Sequence, residues 1–427
     1  MPHPINVRIE KLVYGGEGLA HHEGHTVFAP FVLPDESVSI EPVETRKKFI
    51  RGRVAQIKTP STDRAVPLCP YFGVCGGCNY QHIPYELQLR YKAEILRETL
   101  SRLGRLQWDG PIVPHASPPF GYRNRVQWKI ARDAGGSLGI GYFQAGSQNF
   151  CAIRQCPIAS PRLNEALGAI VNLLPSGKLS AGVEIEVFAD QDDTRLLLNA
   201  AMDAAPAETA ALLRSALPSV DTLLIHDQRT DRFELSGPGH IDYRVGDHNY
   251  RIGHLSFFQV NRFVLDDLVR SVIGEARGKL ALDLFAGVGL FSVPLANRFE
   301  RLIAVESNIA AARDLQANLQ ASGAASPNLR QTTVEAFLEH WHERPDLVVL
   351  DPPRTGVAAR ALARLIKIAP EEIVYLSCDP ATLARDLAIL AGETQNPRGY
   401  RISELHLVDI FPQTYHIEAL VRLSRRA

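Results

Sequence analysis

Long apolar runs, excess charge of either sign, internal repeats and cysteine are all scarce in this chain of 427 residues. No apolar run approaches the roughly 20 residues that a membrane-spanning helix needs, so no membrane partner is expected. Lysine and arginine total 46 against 47 acidic residues, which excludes a polybasic or polyacidic chain. With 45% apolar residues, the composition is that of a folded protein and not of a disordered one. Met1 to Asn6 lacks the charged and apolar regions of a secretory signal, so a cytoplasmic location is expected. The length exceeds what one core supports and implies two or three domains. No repeat or low-complexity tract marks a solenoid.

The six cysteines are unevenly placed. Cys69, Cys75 and Cys78 lie within ten residues, among Gly73, Gly76 and Gly77, which allow tight turns. In a reducing compartment such clustering points to ligands or catalysts more than to disulfides. Cys156 in Gln155-Cys156-Pro157-Ile158 is the expected fourth ligand, with Cys151 its rival. Four thiolates suit zinc or an iron–sulfur cluster, and spacing leaves both open. Cys378 stands apart, after the strand-like run Ile373-Val374-Tyr375-Leu376-Ser377 and before Asp379-Pro380. A lone cysteine is commonly a buried structural thiol. One at the carboxyl end of a sheet strand lies where open α/β folds bind ligands.

The expected fold is a multidomain α/β chain in three parts. Residues 1–58 alternate short apolar strands with Gly/Pro turns and read as a small β-barrel of the oligonucleotide-binding type. Its Arg46, Lys47, Lys48, Arg51, Arg53 and Lys58 are candidate phosphate contacts. Residues 59–250 read as a central α+β region carrying the cysteine site. It opens with a helix from Pro84 to Leu103, where Leu87, Tyr91 and Ile95 recur at helical spacing. A strand over Phe120–Lys129 follows, and an Ala-rich helix is expected around Ala200–Ala216. From Leu87 to Arg132 basic residues outnumber acidic ones nine to three. Arg123 and Arg125, interleaved with Tyr122, Val126 and Trp128, suit a strand facing RNA backbone. Residues 251–427 alternate strand and helix as a doubly wound, Rossmann-like parallel sheet.

In that last part Gly287 and Gly289 follow the strand Leu280–Phe285, and Glu306 ends the next strand. Glycines let backbone approach a ligand, and the acidic residue holds ribose hydroxyls. Ser292 stands where a dinucleotide fingerprint has its third glycine. Asp283 could accept from the amino-acid part of S-adenosylmethionine, and Glu306 with Asp351-Pro352-Pro353 tips the choice towards that cofactor over a nicotinamide one. Exocyclic or amide nitrogen methylation uses a D/N-P-P-aromatic motif, whereas Arg354 stands here.

These motifs occur in one order: Cys69–Cys78 with Cys156, Phe257-Phe258-Gln259-Val260-Asn261, Asp283–Ser292, Asp351–Arg354, Ser377–Asp386 and Phe411–Glu418. Together they resemble the RNA uracil-5-methyltransferases that carry an N-terminal TRAM domain and an iron–sulfur cluster, over nearly the whole chain. The resemblance implies a TRAM barrel, and a [4Fe-4S] cluster on Cys69, Cys75, Cys78 and Cys156. It implies S-adenosylmethionine held by Gln259, Phe285, Glu306 and Asp351, with Cys378 as nucleophile and Glu418 as general base. Phe257 would stack on a base, and Arg123 and Arg125 would meet RNA. The implied substrate is RNA, with 23S ribosomal RNA favoured over transfer RNA, and the expected protein is a monomer that does not act on DNA. A non-catalytic RNA-binding iron–sulfur protein is the rival from another class. The chain departs from the family at Asp379, where asparagine is frequent, and at Leu290 and Thr333, where polar cofactor contacts are expected.

Overall fold

The computed structural model describes residues 4–203, 208–323, 327–392 and 399–426. Alternating apolar residues near the N-terminus form a curled six-stranded sheet. Its strands are β1 (Ile5–Arg8), β2 (Lys11–Leu12), β3 (Glu17–His22), β4 (His25–Pro30), β5 (Ser37–Thr45) and β6 (Phe49–Thr59). They run in the order β1-β5-β6-β4-β3-β2. Val7, Ile9, Ala20, Val27, Ala29, Val38 and Ile40 point inward as one core. Register shifts between β5 and β6 help the sheet curl.

The middle of the chain contributes α1 (Tyr85–Gly104), β7 (Ile112–His115), β8 (Arg125–Arg132), β9 (Leu138–Phe143), β10 (Phe150–Ala152) and α2 (Pro161–Leu173). There follow β11 (Glu184–Ala189), β12 (Leu196–Met202), α3 (Thr209–Ala216), β13 (Val220–Asp227) and β14 (Arg232–Ser236). A seven-stranded sheet runs β10-β9-β8-β11-β12-β13-β14. Helices α2 and α3 bury its apolar face with Trp128, Val187, Leu198 and Leu223. The expected helix at Ala200–Ala216 is corrected here. Ala200, Ala201 and Met202 continue β12 between two partner strands, and helix begins only at Thr209. Ladder pairing overrides alanine's helix propensity. Residues 204–207 of that span lie outside the described residues.

The remaining elements are a hairpin β15 (His240–Val245) and β16 (His248–Gly253), α4 (Leu265–Ile273), β17 (Gly278–Leu284), α5 (Ser292–Ala296), β18 (Phe299–Val305), α6 (Ile309–Ala321) and β19 (Pro327–Arg330). After them come α7 (Val334–Glu339), β20 (Leu347–Leu350), α8 (Ala359–Ile368), β21 (Glu372–Ser377), α9 (Pro380–Ala391), β22 (Tyr400–Val408) and β23 (Glu418–Arg425). They build an eight-stranded sheet in the order β19-β18-β17-β20-β21-β23-β22-β7. Strand β23 is antiparallel to both neighbours. Near-continuous apolar runs such as Leu347–Leu350 fit strands covered on both faces.

Two pieces from the middle of the chain join this last layer. Strand β7 adds to its edge beside β22. Helix α1 lays Leu89, Ile95, Leu96 and Leu100 into one core with Leu383, Leu387 and Leu407. On the opposite face Tyr243 and Tyr250 of the hairpin share a core with Leu302 and Leu315.

Candidate active site

Strands β17, β18, β20 and β21 are parallel, so their carboxyl ends deliver Asp283 and Phe285, Glu306, Asp351 and Cys378 to one edge. Antiparallel β23 starts at that edge. Ser377 pairs with Ala419, which brings Glu418 opposite Cys378 across two neighbouring strands. Register thus joins two groups separated by 40 positions in the sequence.

The β17–α5 loop is shaped by backbone. Phe285 sits at φ 70°, a left-handed conformation that non-glycine residues rarely hold outside functional turns. Gly289 has φ 97°, and a Cβ there would lie 2.6 Å from Leu315 Cδ1, so glycine is required. The Gly287 amide donates to Glu306 Oε2 at 2.8 Å and the Asn308 amide to Oε1 at 2.6 Å. Glu306 is thereby fixed beside the glycine loop. Asp283 is fully buried; Ser292 Oγ donates to its Oδ2 at 2.5 Å, while Oδ1 has no partner among the described residues. Burial raises its carboxyl to about 7 despite the Ser292 bond. A buried orphan acceptor beside a glycine loop, with a pinned carboxylate one strand away, fits a ligand carrying an ammonium group and a ribose.

The reacting edge is electrostatically crowded. Desolvation, then the Glu418 and Asp351 charges, push the Cys378 thiol up to about 11, while Arg354 opposes them. Glu418 is buried, and desolvation followed by Asp351 holds its carboxyl well above the ordinary range, again against Arg354. Asp351 is raised to about 7 by desolvation and then by Asp283. Arg354 is therefore the cation facing this acidic set. Its loop is clamped from α9: Asp386 accepts from the Val357 amide at 2.8 Å and from Tyr375 Oη at 2.7 Å, and Arg385 donates to Thr355 O at 2.9 Å.

Asp379, after the nucleophile candidate, caps α9 by accepting from the Ala381 and Thr382 amides at 3.0 and 2.8 Å. Its other oxygen accepts from Tyr14 Oη of the N-terminal sheet at 3.2 Å. Tyr14 meets Tyr415 edge-on at 5.8 Å, and Gly16 passes so close that a Cβ would stand 3.2 Å from Tyr415 Cβ. Nothing local in the sequence links Tyr14 to residue 379. The segment from Asp409 to Gln413 is held by α1. Buried Lys92 donates to Asp409 Oδ1 at 2.7 Å and to Phe411 O at 3.0 Å, and Gln88 bonds Gln413 twice. One signal did exist: Gln88 and Lys92, four apart, interrupt the apolar face of α1.

Other expected site residues are dispersed around this edge. Gln259 is buried just beyond β16, and Phe257 is 68% exposed. Arg123 lies between two cavities. Arg125 is largely spent inside the protein, donating to Glu186 and to Ser256 O at 2.8 Å each. Leu290 is buried and accepts from Tyr250 Oη through its carbonyl, while Thr333 caps α7.

Cys69, Cys75, Cys78 and Cys156 line one cavity of about 590 Å³, together with Arg354 and His416; Cys151 sits in β10, outside its lining. Burial pushes Cys75 up to about 11 and Cys78 to about 12. Among the described residues no three His, Cys, Asp or Glu side chains come close enough to hold a metal ion. The expected cluster is therefore not shown by this geometry, though the four thiols do share a chamber.

A family model described as tRNA (Uracil-5-)-methyltransferase matches residues 84–426. The chain belongs to that family. An RNA methyltransferase of undefined specificity from Aquifex aeolicus is 33% identical, over 99% of this chain and 98% of its own. The 23S rRNA (uracil(1939)-C(5))-methyltransferase RlmD of Alkalilimnicola ehrlichii is 31% identical, over 99% and 97%. Among solved structures, the Pyrococcus abyssi tRNA (uracil-54, C5)-methyltransferase in complex with S-adenosyl-L-homocysteine superposes with a TM-score of 0.76. It is 26% identical and is matched over 98% of this chain and 100% of its own. This uracil-5-methyltransferase family model begins at residue 84, at the threshold of α1, which agrees with α1 and β7 packing on the catalytic sheet. No helix among the described residues of this family member is long and apolar enough to cross a membrane.

Proposed function

We propose that this family member is an S-adenosylmethionine-dependent RNA (uracil-5-)-methyltransferase in which Cys378 attacks the base and Glu418 removes its C5 proton. The observation that carries this reading is the register that sets Cys378 and Glu418 side by side at the ligand edge of the sheet. S-adenosylmethionine, when bound, supplies an electrophilic methyl group. Glu306 and Asp283 would hold its ribose and ammonium groups, with Gln259, Phe285 and Asp351 beside them.

Uracil C5 is a weak nucleophile. The Cys378 thiolate adds to C6, the C5=C6 electron pair moves into an enolate, and C5 then takes the methyl group. Glu418 accepts the C5 proton as the electrons reform the double bond and expel the Cys378 thiolate. Dividing one hard displacement into addition and elimination is the gain of covalent catalysis. Burial makes Glu418 a stronger base once ionised, because the proton it takes removes a desolvated charge. Arg354 steadies the anionic set. The target base must leave its stack to reach this recessed edge, with Phe257 and Arg123 receiving RNA nearby.

The curled N-terminal sheet is read as a TRAM module, and Cys69, Cys75, Cys78 and Cys156 as ligands of a [4Fe-4S] cluster. Thiolates around one metal ion at about 2.3 Å would crowd together. A cubane spreads its ligands around a wider space, which suits four thiols around a chamber. Held there, it would tie residues 69–78 to the Cys156 loop. Large-subunit ribosomal RNA is the favoured substrate, following the Alkalilimnicola relative; the Pyrococcus structure favours transfer RNA as the second reading. RNA tritiated at uracil C5 tests the activity. Tritium release that needs S-adenosylmethionine, Cys378 and Glu418 is expected, and methyl transfer without release would refute C5 chemistry. Separate incubations with ribosomal and transfer RNA decide the substrate.

A further inference from the structure

The seven-stranded sheet has one face under α2 and α3; on the other, the β15–β16 hairpin covers the end at Phe188 and Leu197, and the rows beyond it carry no helix or strand among the described residues. Side chains of the open face follow from the ladder: Gln127, Glu186, Asn199 and Leu224 in one row, Lys129, Glu184, Ala201, His226 and Phe233 in the next. Its charges cancel locally, Arg125 pairing with Glu186 and Lys129 with Glu184. Its apolar groups do not hide. Phe233 is 54% and Leu235 55% exposed, on the edge strand β14. The Phe233 ring lies flat on His226, with centroids 4.3 Å apart and planes 5° from parallel. His226 is in turn fixed by Asp231 at 2.9 Å.

This corner belongs to a trough of about 550 Å³ that also holds exposed Phe257 and Leu255 and ends at Arg123. Arg123 and Gln127 line the cysteine chamber as well, and that chamber reaches Arg354, the cation beside Cys378 and Glu418. Phe233 and Phe257 thus share one trough, and Arg123 stands between that trough and the chamber beside Arg354. A sheet face bearing exposed aromatic rings is how small RNA-binding domains stack unpaired bases. A phosphate-tracking surface would instead leave its arginines and lysines unpaired.

We propose that the Phe233–His226 pair is a second base-stacking platform, which takes an unpaired nucleotide of the substrate RNA flanking the target uridine. The proposal rests on the reading of the protein as an RNA methyltransferase, and it adds a subsite remote from the chemistry. Arg123 would bridge the phosphates between platform and reacting edge. The exposed position of Phe233 makes its ring dispensable for folding.

The test uses the full chain and a fluorescein-labelled single-stranded oligouridylate as probe, read by anisotropy. Phe233→Ala should weaken binding about 5- to 150-fold, the range of one lost base–aromatic stack. Phe233→Trp should restore it and Phe233→Leu should not, because stacking and not apolar area is at stake. The salt slope should stay unchanged, since no phosphate contact is lost. Ultraviolet crosslinking of the wild-type complex, which needs no variant, should label the peptide containing Phe233. Binding unchanged in Phe233→Ala, or a crosslink absent from that peptide, overturns the platform even while methylation proceeds. So does a wild-type dimer that Phe233→Ala turns into a monomer, which would make β14 a self-association edge. Binding that depends on Phe233 without any methyl transfer would keep the platform and overturn the catalytic reading instead.

Discussion

The ionisation of Cys378 can be read directly by its alkylation. Its thiol is pushed up to about 11 by desolvation first and by the Glu418 and Asp351 charges next. At pH 7.5 the ionised fraction is then about 0.03%, against about 3% for a thiol at 9. Glu418→Gln removes the second cause and leaves the first. A neighbouring charge of this kind is worth about one pKa unit, so alkylation by iodoacetamide should quicken about tenfold. The gain has its own pH dependence. The Glu418 carboxyl is itself held well above the ordinary range, so at low pH it is neutral and the variant should match wild type. The two rates should separate only as Glu418 ionises, and that separation titrates Glu418. Arg354→Met has the opposite sign, because it removes the cation that lowers the thiol, and should slow alkylation about tenfold. Peptide mass spectrometry of carboxamidomethylated Cys378 across pH 6 to about 11 supplies the rates. A wild-type midpoint near the ordinary thiol value, or slower alkylation in Glu418→Gln, would refute the reasoning.

Tyr14→Phe keeps the ring against Tyr415 but removes the donor to Asp379, so kcat should fall about tenfold while S-adenosylmethionine affinity, by calorimetry, is unchanged. Lys92→Met strands a buried Asp409 carboxylate and should destabilise the catalytic layer by about 3–5 kcal/mol in urea unfolding. The double variant Lys92→Met, Asp409→Leu should recover most of that loss. Anaerobically purified protein should contain iron and inorganic sulfide in equal amounts, both lost in Cys75→Ser; bound zinc without sulfide would contradict the cluster.

Local pattern carried a good part of this fold. The runs Leu280–Leu284, Leu347–Leu350 and Ile373–Ser377 are strands because they are almost wholly apolar, Asp283 being the one charged residue within them, and glycine or proline follows. Ala200–Met202 misled because alanine's helical preference is weaker than two flanking ladders. Strand β7 was invisible as part of the catalytic sheet, since its partner β22 lies almost 300 residues further on. At the candidate site, the motifs pointed to Cys378 and Glu418. Their adjacency was not legible, because register is a tertiary fact. Tyr14 and Lys92 act across the fold. Only the polar interruption of an apolar helix face hinted at Lys92, and nothing hinted at Tyr14. Arg125 is a basic residue in an RNA-like pattern whose guanidinium is paired with Glu186.

The most direct test of the central claim is covalent trapping on RNA containing 5-fluorouridine, with S-adenosylmethionine present. Fluorine at C5 cannot be removed as a proton, so the account predicts a denaturation-resistant adduct whose crosslinked peptide contains Cys378. It also predicts no adduct in Cys378→Ala. An adduct that persists in Cys378→Ala, or none in a wild-type protein that binds both RNA and S-adenosylmethionine, would contradict it.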